Sequence, residues 1–383
     1  MERYFSTDVL ADILRRLPPS SRLRARLVCR HWRDVVNSRT TEMQSRASPL
    51  IWDPRSGIAY IIDDLSSSAA AAGSCRPLWR NAAKRLHYGD SAVQLVGTCN
   101  GLLCLCDNEE RAGGAVTVVN PATGKALAVP ALPCAAQLVG RTTQTKRSET
   151  KAWHEAYSFA YHPTTGKYKV VHVPCSYERV CEFDAVHVLT LGEAAWREVT
   201  VHAGPGCPKC DLAAGIVSID GMTYWLWVTP SDTRKVAAFD LDDEHVVAPA
   251  APPLPSLPPG HMRYHLTEVR GRLGVVTRGS MSAEAWVLEK GQGWIHRYVV
   301  GQHVPVPHFA YTGGCVLTVR YRSSFYAHWP KDAPPLGWRL RCDDGRGVVR
   351  VGNGDQGMSL VDMGGYSFDN YRTFAYVKTM EPL

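Results

Sequence analysis

Three short stretches of the chain share one pattern: a polar residue and a proline, then a serine or threonine, then glycine. They are DPRSG at 53, NPATGK at 120 and HPTTGK at 162. Proline sets the first backbone angle of a turn and glycine permits positive φ, so each stretch predicts a tight turn. Each leads towards a strand-like run such as IAYII or YKVVHV. Such repeated units predict a chain made mainly of short β-strands.

Two further repeats extend this pattern. A polar residue and a glycine open an apolar strand in NGLLCL at 100, DGMTYWL at 220 and RGRLGVV at 270. A hairpin recurs in which Gly192 or Gly291 makes the turn and Trp196 or Trp294 starts the returning strand. Short strands, glycine turns and one tryptophan per returning strand predict a β-propeller. The region from residue 48 onwards has room for six or seven blades at roughly 45 to 50 residues each.

The composition agrees with a folded, non-membrane chain. Of the 383 residues, 45% are apolar and 21% are charged, so we expect a packed core. The longest nearly apolar run, Leu95 to Cys106, is too short to cross a bilayer. Acidic residues interrupt the N-terminus where a signal peptide needs an apolar run. The twelve cysteines have no framework spacing, so we expect a reducing compartment, the cytoplasm or nucleus.

The positive charge is concentrated at the N-terminus. Residues 1–46 carry a net charge of +5, while the other 337 residues carry +2 of the total of +7. A nearly neutral main body argues against a long acidic ligand such as nucleic acid wrapping around it. Any strong electrostatic interaction is therefore expected at the N-terminal segment.

The first helix is predicted from the capping residue Ser6 or Thr7 to the break at Pro18-Pro19. Its apolar residues fall on one face: Val9, Leu10, Ile13, Leu14 and Leu17. A second helix, capped by Ser20 or Ser21, is predicted to run on through RLVCRHWRDVV at 26–36. It has two adjacent apolar stripes: Leu23, Leu27, Val28 and Val35, and then Ala25, Cys29, Trp32 and Val36.

These stripes are wider than one antiparallel neighbour needs. Two helices of about a dozen residues each also cannot enclose a core alone. The apolar surface must therefore pack against the rest of the chain or against a partner.

The segment FSTDVLADILRRLPPSSRLRARLVCRHWRDVV resembles an F-box, over roughly residues 4–40. The resemblance implies docking to the Skp-type adaptor of a cullin–RING ubiquitin ligase. The implied adaptor-binding residues are Leu10, Ile13, Leu14, Leu17, Pro18, Leu23, Val28, Cys29 and Trp32. Arg24, Arg26, Arg30 and Arg33 complete the basic part of the motif. One departure is Phe5-Ser6, where many family members have Leu-Pro, and this change predicts a weaker adaptor affinity.

The following region resembles the F-box-associated, kelch-like domain of plant-type substrate receptors. The matching stretches are LVGTCNGLLCL, FAYHPTTGKYKVV, VHVLTLGEAAWREV and DGMTYWL, within residues 95–300. The resemblance implies a mainly β chain with an F-box helical module at 1–46 and a β-propeller at 47–383. It further implies a non-catalytic substrate-recognition subunit of an SCF-type ligase. Such a subunit would hold an unidentified substrate protein and need no cofactor.

The sequence also permits alternatives to this interpretation. The N-terminal helices could form a structural cap or a DNA-reading helix-turn-helix, but a recognition helix needs an exposed polar face. The remainder could be a free-standing binding propeller or a propeller enzyme. An enzyme of that kind usually needs acids or histidines at equivalent blade positions, where these repeats place glycine, proline and tryptophan.

Three further motifs are candidates for cofactor, metal or peptide-domain binding. GNGDQG at 352–357 lacks the helix that a dinucleotide site requires. Cys207 and Cys210 would need two more ligands for zinc, and His261 and His265 lie far along the chain, so no metal site is predicted. The proline-rich run at 249–260 is predicted to be a stiff connection. Candidate substrate loops are 141–156, 203–211, 302–310 and 325–337.

Overall fold

The computed structural model describes the chain in segments. The described residues are 6–17, 25, 28–39, 48–54, 56–62, 75–81, 92–133, 135, 152–162, 164–177, 181–200, 209–229, 233–257, 261–269, 271–279, 283–300, 306–307, 316–320, 324–328, 340–343, 347–350, 358–362 and 372–377. Among these residues, no helix has the length and apolar character needed to cross a membrane.

The first helix, α1 (Thr7–Arg16), begins where the sequence predicts. The side chain of Ser6 accepts a hydrogen bond from the backbone N–H of Val9 at 3.4 Å, which caps the helix. Asp8 lies in the first turn, near the positive end of the helix dipole. The helix ends before Leu17, whose N–H donates to the carbonyl of Leu14 at 3.2 Å. Ser6 therefore acts as the predicted N-cap.

The second predicted helix is interrupted, so the prediction of one continuous helix was wrong. Val28 lies in a turn, and its N–H donates to the carbonyl of Ala25 at 3.2 Å. The helix α2 (Arg30–Arg39) starts only after Cys29. The Cys29 sulfur accepts a hydrogen bond from the backbone N–H of Trp32 at 3.5 Å. This contact satisfies a donor at the new helix start, in the way that a hydroxyl or carboxylate cap does.

Among the described residues, the other elements with defined bounds are strands and two 3-10 helices. The first strands are β1 (Ser48–Asp53), β2 (Ile58–Ile62), β3 (Cys75–Arg80), β4 (Val93–Cys99), β5 (Leu102–Asp107), β6 (Ala115–Val119) and β7 (Ala126–Ala128). A 3-10 helix (Trp153–Ala156) precedes β8 (Tyr157–Tyr161), β9 (Tyr168–His172), β10 (Cys175–Tyr177), β11 (Cys181–Phe183), β12 (Ala185–Thr190) and β13 (Arg197–Thr200).

A second 3-10 helix (Leu212–Ala214) precedes β14 (Ile216–Ile219), β15 (Met222–Val228), β16 (Arg234–Asp240) and β17 (His245–Val247). Then follow β18 (His261–Val269), β19 (Arg272–Gly279), β20 (Ala283–Glu289), β21 (Gly293–Val300) and β22 (Val306–Pro307). The last are β23 (Val316–Arg320), β24 (Ser324–His328), β25 (Leu340–Asp343), β26 (Gly347–Arg350), β27 (Met358–Asp362) and β28 (Arg372–Tyr376).

Most of these strands form antiparallel sheets with regular connectivity. The four-stranded sheets have the orders β4-β5-β6-β7, β8-β9-β12-β13, β14-β15-β16-β17 and β18-β19-β20-β21. A five-stranded sheet, β22-β28-β1-β2-β3, joins the C-terminal strand β28 to the early strand β1. Among the described strands, smaller sheets are β23-β24-β27, β10-β11 and β25-β26.

The five larger sheets close into a ring. One strand of each sheet, here called the inner strand, contacts the next around the ring: β28 contacts β4, then β8, β14 and β18 follow. β18 contacts β22, which pairs with β28 in parallel and completes the circuit. The fold is thus mainly β with a propeller, as predicted, but the described strands form a ring of five sheets rather than six or seven blades. The length estimate overcounted because β23 to β27 form separate two- and three-stranded sheets.

The repeated turn motifs form the same kind of turn, although NPATGK joins β6 to β7 and HPTTGK joins β8 to β9, which are different positions in their sheets. In NPATGK, the side-chain oxygen of Asn120 accepts from the N–H of Ala122 and of Thr123 at 2.9 and 3.2 Å. In HPTTGK, the ring Nδ1 of His162 accepts from the N–H of Thr165 at 3.3 Å. Histidine thereby takes over the role of asparagine. The following Gly124 and Gly166 have φ of 71° and 72°, which residues with a Cβ rarely adopt.

The two hairpin tryptophans also make equivalent bonds, each between neighbouring sheets. The indole N–H of Trp196 donates to the carbonyl of Pro130, just after β7, at 3.0 Å. The indole N–H of Trp294 donates to the carbonyl of Pro252, after β17, at 3.2 Å. In each case the acceptor follows the last strand of the preceding sheet. The predicted tryptophan repeat therefore serves as a link between sheets.

Candidate functional site

The helical module has its own small core. Leu10 and Leu14 on α1 are fully buried and pack with Ala25 and Val35. At the edge of this core lie the partly buried Leu17, Trp32 and Val36. Leu10 and Leu14, which the sequence assigned to adaptor binding, therefore lie inside the module. Leu10 and Leu14 would affect adaptor binding only by maintaining the shape of the module, and their role in binding stays a prediction.

A different set of apolar side chains faces solvent. Val9 is 51% exposed, Ile13 is 40% exposed and Val28 is 62% exposed. Val9 and Ile13 are four residues apart on α1, so they share one face of the helix. We call these three residues the apolar patch. The helical module leaves this apolar surface uncovered by its own core, so the surface is available to a partner.

The apolar patch only partly matches the residues predicted from the sequence. Ile13 and Val28 were predicted and are exposed. Val9 was seen on the same helical face but was not assigned to the site. The sequence could not assign Val9 because helical periodicity identifies the apolar face of α1 but not which residues on that face are buried in the module's own core. Cys29 is half-buried and caps α2. Pro18 and Leu23, also predicted, lie outside the described residues.

A second candidate surface is the end of the ring where the inner strands begin. The 3-10 helices before β8 and β14 contact each other there. The first is the described end of the predicted substrate loop 141–156, and the second directly follows the predicted loop 203–211. The side chain of Asn108 fixes one of these helices, because its Oδ1 accepts from the backbone N–H of His154 at 3.0 Å. At the other, the carboxylate of Asp211 pairs with Arg234 at 3.2 Å.

Titratable groups cluster at this end of the ring. Burial, together with the nearby charge of Arg372, holds the pKa of His154 well below its ordinary value. Burial raises the pKa of Glu155 and lowers that of Arg372. The guanidinium of Arg372 donates to the carbonyl of Leu95 at 3.1 Å and lies 5.2 Å from the ring centroid of Phe374. This surface can supply both charged and neutral hydrogen-bonding groups to a ligand.

The thiols are poorly placed for nucleophilic or redox chemistry. Burial raises the pKa of Cys104, Cys106 and Cys210, which keeps these sulfurs protonated near neutral pH. Cys210 is the described half of the CxxC motif and forms an isolated β-bridge with Trp227. Cys207, and the glycine-rich stretch 352–357, lie outside the described residues.

One group of three possible metal ligands occurs among the described residues: Asp240, Asp243 and His245. Its ligand atoms lie within 4.8 Å of one another in the turn between β16 and β17. However, one oxygen of Asp240 already accepts from the backbone N–H of Asp242 and of Asp243, at 2.8 and 3.3 Å. This pattern is that of an Asx turn.

The proline-rich run is bound by its own chain. The hydroxyl of Tyr264 donates to the carbonyl of Pro255 at 2.6 Å, and Trp294 donates to Pro252. Leu254 and Leu257 of the same run pack against the core between two sheets. Residues 249–257 therefore act as the predicted stiff connection.

Comparisons with known proteins agree with both parts of this geometry. A family model described as the F-box domain matches residues 5–41. A second, described as the F-box associated beta propeller domain, matches residues 70–316.

Among curated proteins, F-box protein At3g07870 of Arabidopsis thaliana is 24% identical over 337 residues, covering 78% of this chain and 73% of that protein. Another Arabidopsis thaliana protein named as an F-box protein, At3g52320, is 27% identical over 256 residues. That match covers 62% of this chain and 57% of the relative, so the chain spans less than two thirds of that protein.

Similar solved structures include YjhT and TolB from Acinetobacter baumannii. YjhT has a TM-score of 0.43 and 11% identity, covering 72% of this chain and 89% of YjhT. TolB has a TM-score of 0.41 and 9% identity, covering 82% of this chain and 65% of TolB.

Proposed function

The chain belongs to the F-box proteins that carry an F-box associated β-propeller domain, and from this membership we propose that it is the substrate-recognition subunit of an SCF-type cullin–RING ubiquitin ligase. The helical module docks to a Skp-type adaptor and the propeller holds a substrate protein. The mechanism is proximity: a substrate lysine is kept at a high effective concentration near the charged conjugating enzyme. The chain itself makes and breaks no bond in this scheme.

The apolar patch is the observation that carries the docking proposal. Val9, Ile13 and Val28 expose branched aliphatic surface on the helical module whose core includes Leu10 and Leu14. Full burial of such a side chain contributes roughly 1.5 to 3 kcal/mol, and these three start partly covered, so each gives less. Together they supply a useful share of the free energy of a stable complex.

The division of labour follows the two family matches. We propose that residues 1–46 form the docking module and residues 47–383 the substrate-binding part. We also propose that the protein works in the cytoplasm or nucleus. The described thiols support this location, because Cys104, Cys106 and Cys210 are buried as small apolar groups outside any disulfide.

A non-catalytic role is the second part of the proposal. Burial raises the pKa of the Cys104, Cys106 and Cys210 thiols, and burial lowers the pKa of His154, which keeps its imidazole neutral. Neither change prepares a thiolate nucleophile or a base near neutral pH. The surface where the inner strands begin is better suited to binding a substrate than to transforming it.

The test is co-purification of the full-length chain with a purified Skp-type adaptor. The double variant Val9→Asp/Ile13→Asp places two charges in the apolar patch and is expected to lose the adaptor. Val228→Asp is the matched control, because Val228 is a 41% exposed valine on β15 of the propeller. It is expected to bind like the wild type.

The salt dependence of binding distinguishes apolar docking to an adaptor from nucleic-acid binding. Apolar docking is expected to persist between low and high salt, whereas an arginine-based nucleic-acid site would lose affinity steeply. Failure of the wild-type chain to retain the adaptor, or equal retention by the double variant, would refute docking through the apolar patch.

A further inference from the structure

A half-buried arginine lies at the end of the ring where the inner strands begin. Arg372 is the first residue of the inner strand β28. Its Nη1 donates to the carbonyl of Leu95 at 3.1 Å, and its guanidinium group lies 5.2 Å from the ring centroid of Phe374. These contacts use only part of the hydrogen-bonding capacity of a guanidinium group. Among the described residues no carboxylate forms an ion pair with Arg372, although a partly buried charge is costly without one.

A neutral histidine supplies a second hydrogen-bond donor near Arg372. His154 lies in the 3-10 helix before β8, which contacts β4, and β4 contacts β28. Oδ1 of Asn108 already accepts from the backbone N–H of His154 at 3.0 Å. The amide Nδ2 of Asn108 therefore donates to the ring Nδ1 at 3.1 Å, closer than Oδ1 at 3.3 Å. With Nδ1 as acceptor, the neutral ring carries its proton on Nε2, which can donate to a ligand.

The neighbouring carboxylate of Glu155 limits the charge that a ligand can bring here. Glu155 follows His154 in the same 3-10 helix and is exposed. Burial lowers the pKa of Arg372, and the charge of Glu155 raises it. Arg372, His154 and Glu155 are all reached by solvent, yet enough protein surrounds them for burial to shift their pKa values, as for groups that line a recess. One guanidinium charge opposed by one carboxylate favours a ligand with a single negative charge.

We propose that the guanidinium group of Arg372 and the Nε2–H of His154 bind a carboxylate of the substrate protein. A guanidinium group can donate paired hydrogen bonds to the two oxygens of a carboxylate, and His154 donates to one of them. Glu155 repels a second negative charge, so the site prefers a carboxylate to a phosphoryl dianion. The inference rests on the proposed substrate-receptor function and names the chemical group that the receptor recognises.

The experiment is an NMR titration of the isotope-labelled full-length chain, near neutral pH, with N-acetylglutamate α-methylamide, whose only charge is its side-chain carboxylate. We expect saturable shifts of the Arg372 guanidinium and His154 imidazole signals. N-acetylglutamine α-methylamide is equal in size and uncharged, so it is the matched control ligand and should cause no such shifts. N-acetylalanine carries a terminal carboxylate instead. Binding of either carboxylate supports the proposal, and the tighter ligand identifies the source as an acidic side chain or a chain terminus.

Two substitutions with opposite expected effects separate this site from general charge attraction. Arg372→Gln is expected to weaken binding of the tighter carboxylate about tenfold, as for the loss of a charge-assisted hydrogen bond. Glu155→Gln is expected to strengthen binding, because it removes the carboxylate that repels the ligand. Lys235→Gln is the matched control for Arg372→Gln, since Lys235 is an exposed cation on β16 and its removal changes the net charge equally.

Further variants distinguish loss of the site from loss of the fold. Arg372→Gln also removes the hydrogen bond to the carbonyl of Leu95, so its thermal midpoint is compared with that of the wild type. Arg372→Lys keeps the charge without the paired donors, and its affinity is expected to lie between those of the wild type and Arg372→Gln. His154→Phe keeps an aromatic ring but removes the Nε2 donor, and it is expected to weaken binding less than Arg372→Gln does.

Three results would overturn the proposal. The first is no saturable binding of either carboxylate to the wild type. The second is an equal loss of affinity in the Lys235→Gln control, which would indicate general charge attraction. The third is tighter binding of N-acetylphosphoserine α-methylamide, a dianion, than of either carboxylate. The adaptor takes no part in these titrations, so their failure leaves docking through the apolar patch intact, and failure of docking leaves the carboxylate site intact.

Discussion

The ammonium group of Lys169 lies 2.9 Å from a carboxylate oxygen of Glu244, across the junction between two neighbouring sheets. Lys169 is buried on β9 and also donates to the carbonyl of Leu241 at 2.7 Å. The carboxylate of Glu244, in the turn before β17, also accepts hydrogen bonds from the guanidinium group of Arg197 at 2.7 and 3.1 Å. Two cations from one sheet thus share one carboxylate from the next. A buried ammonium group needs such a partner, so this network fixes the contact between the sheets.

Replacing Glu244 by glutamine should therefore destabilise the propeller. The change leaves the buried Lys169 without a counter-charge. Loss of one partner from a fully buried ion pair costs roughly 3 to 5 kcal/mol. Because the Glu244 side chain is 25% exposed and partly screened by solvent, we expect a smaller loss of about 2 kcal/mol in the free energy of unfolding. Urea unfolding of the two proteins measures the difference in the free energy of unfolding.

Glu193→Gln is the control for this change. Glu193 also pairs with Arg197, but both side chains are about 40% exposed, so the pair is screened by solvent. We expect a loss below about 0.5 kcal/mol. Equal effects of the two substitutions would show that Lys169 does not need Glu244.

The same carboxylate predicts a pH dependence of stability. Hydrogen bonds from Arg197 and Lys169 lower the pKa of Glu244 from 4.5 to about 2. The unfolded chain therefore binds a proton at this group before the folded chain does. The contribution of Glu244 is fully present above about pH 4.5 and is lost as the pH falls towards 2.

Urea titrations of wild type and Glu244→Gln at pH 6 and pH 3 isolate this contribution from other titrating groups. The stability gap between the two proteins should narrow at pH 3. A gap of constant size would mean that the folded-state pKa of Glu244 is not depressed.

The hydrogen bonds by which Trp196 and Trp294 link neighbouring sheets predict that Trp→Phe substitutions at these two positions lower the stability of the protein. Trp196→Phe removes the N–H that donates to Pro130, and Trp294→Phe removes the one that donates to Pro252. Each is expected to cost about 1 kcal/mol beyond the change in packing. Denaturant unfolding of the two single variants provides the measurement.

Trp227→Phe is the appropriate comparison, because the indole nitrogen of Trp227 is buried without a hydrogen-bond partner. Removing an unsatisfied donor should be neutral or slightly stabilising in its polar component. If all three substitutions cost the same, indole hydrogen bonding has no part in joining the sheets.

Cys29 should act as a helix cap rather than as a reactive thiol. Cys29→Ala removes the acceptor for the N–H of Trp32, so the first turn of α2 is expected to open more often. Cys29→Ser restores an acceptor with a better capping preference. Amide hydrogen exchange at Trp32 should be faster in the alanine variant and no faster than wild type in the serine variant. Equally fast exchange in both variants would contradict a capping role.

Much of the fold was predictable because its turns leave local signatures. The turns at Asn120 and His162 and the tryptophan hairpins depend on residues close in sequence. The number of sheets in the ring was not predictable, since the pairing of β22 with β28 joins residues far apart in the chain. Chain length gave only an upper bound, because strands outside the ring use residues as well.

The candidate site shows the same division between local and long-range information. Periodicity identified the apolar face of α1, but it could not separate Leu10 and Leu14, which are buried in the module, from Val9 and Ile13, which are exposed. The break before α2 was missed because a cysteine sulfur caps it, and cysteine is not among the usual capping residues.

The most direct test of the central claim is the dissociation constant of the full-length chain for a purified Skp-type adaptor, measured by calorimetry at several temperatures. Docking through the apolar patch predicts saturable binding with a negative heat-capacity change, because apolar surface is buried. It also predicts at least a tenfold loss of affinity for Val9→Asp/Ile13→Asp and none for Val228→Asp. Absence of binding, or equal affinity of the double variant and the control, would contradict the assignment of this chain as an adaptor-docked substrate receptor.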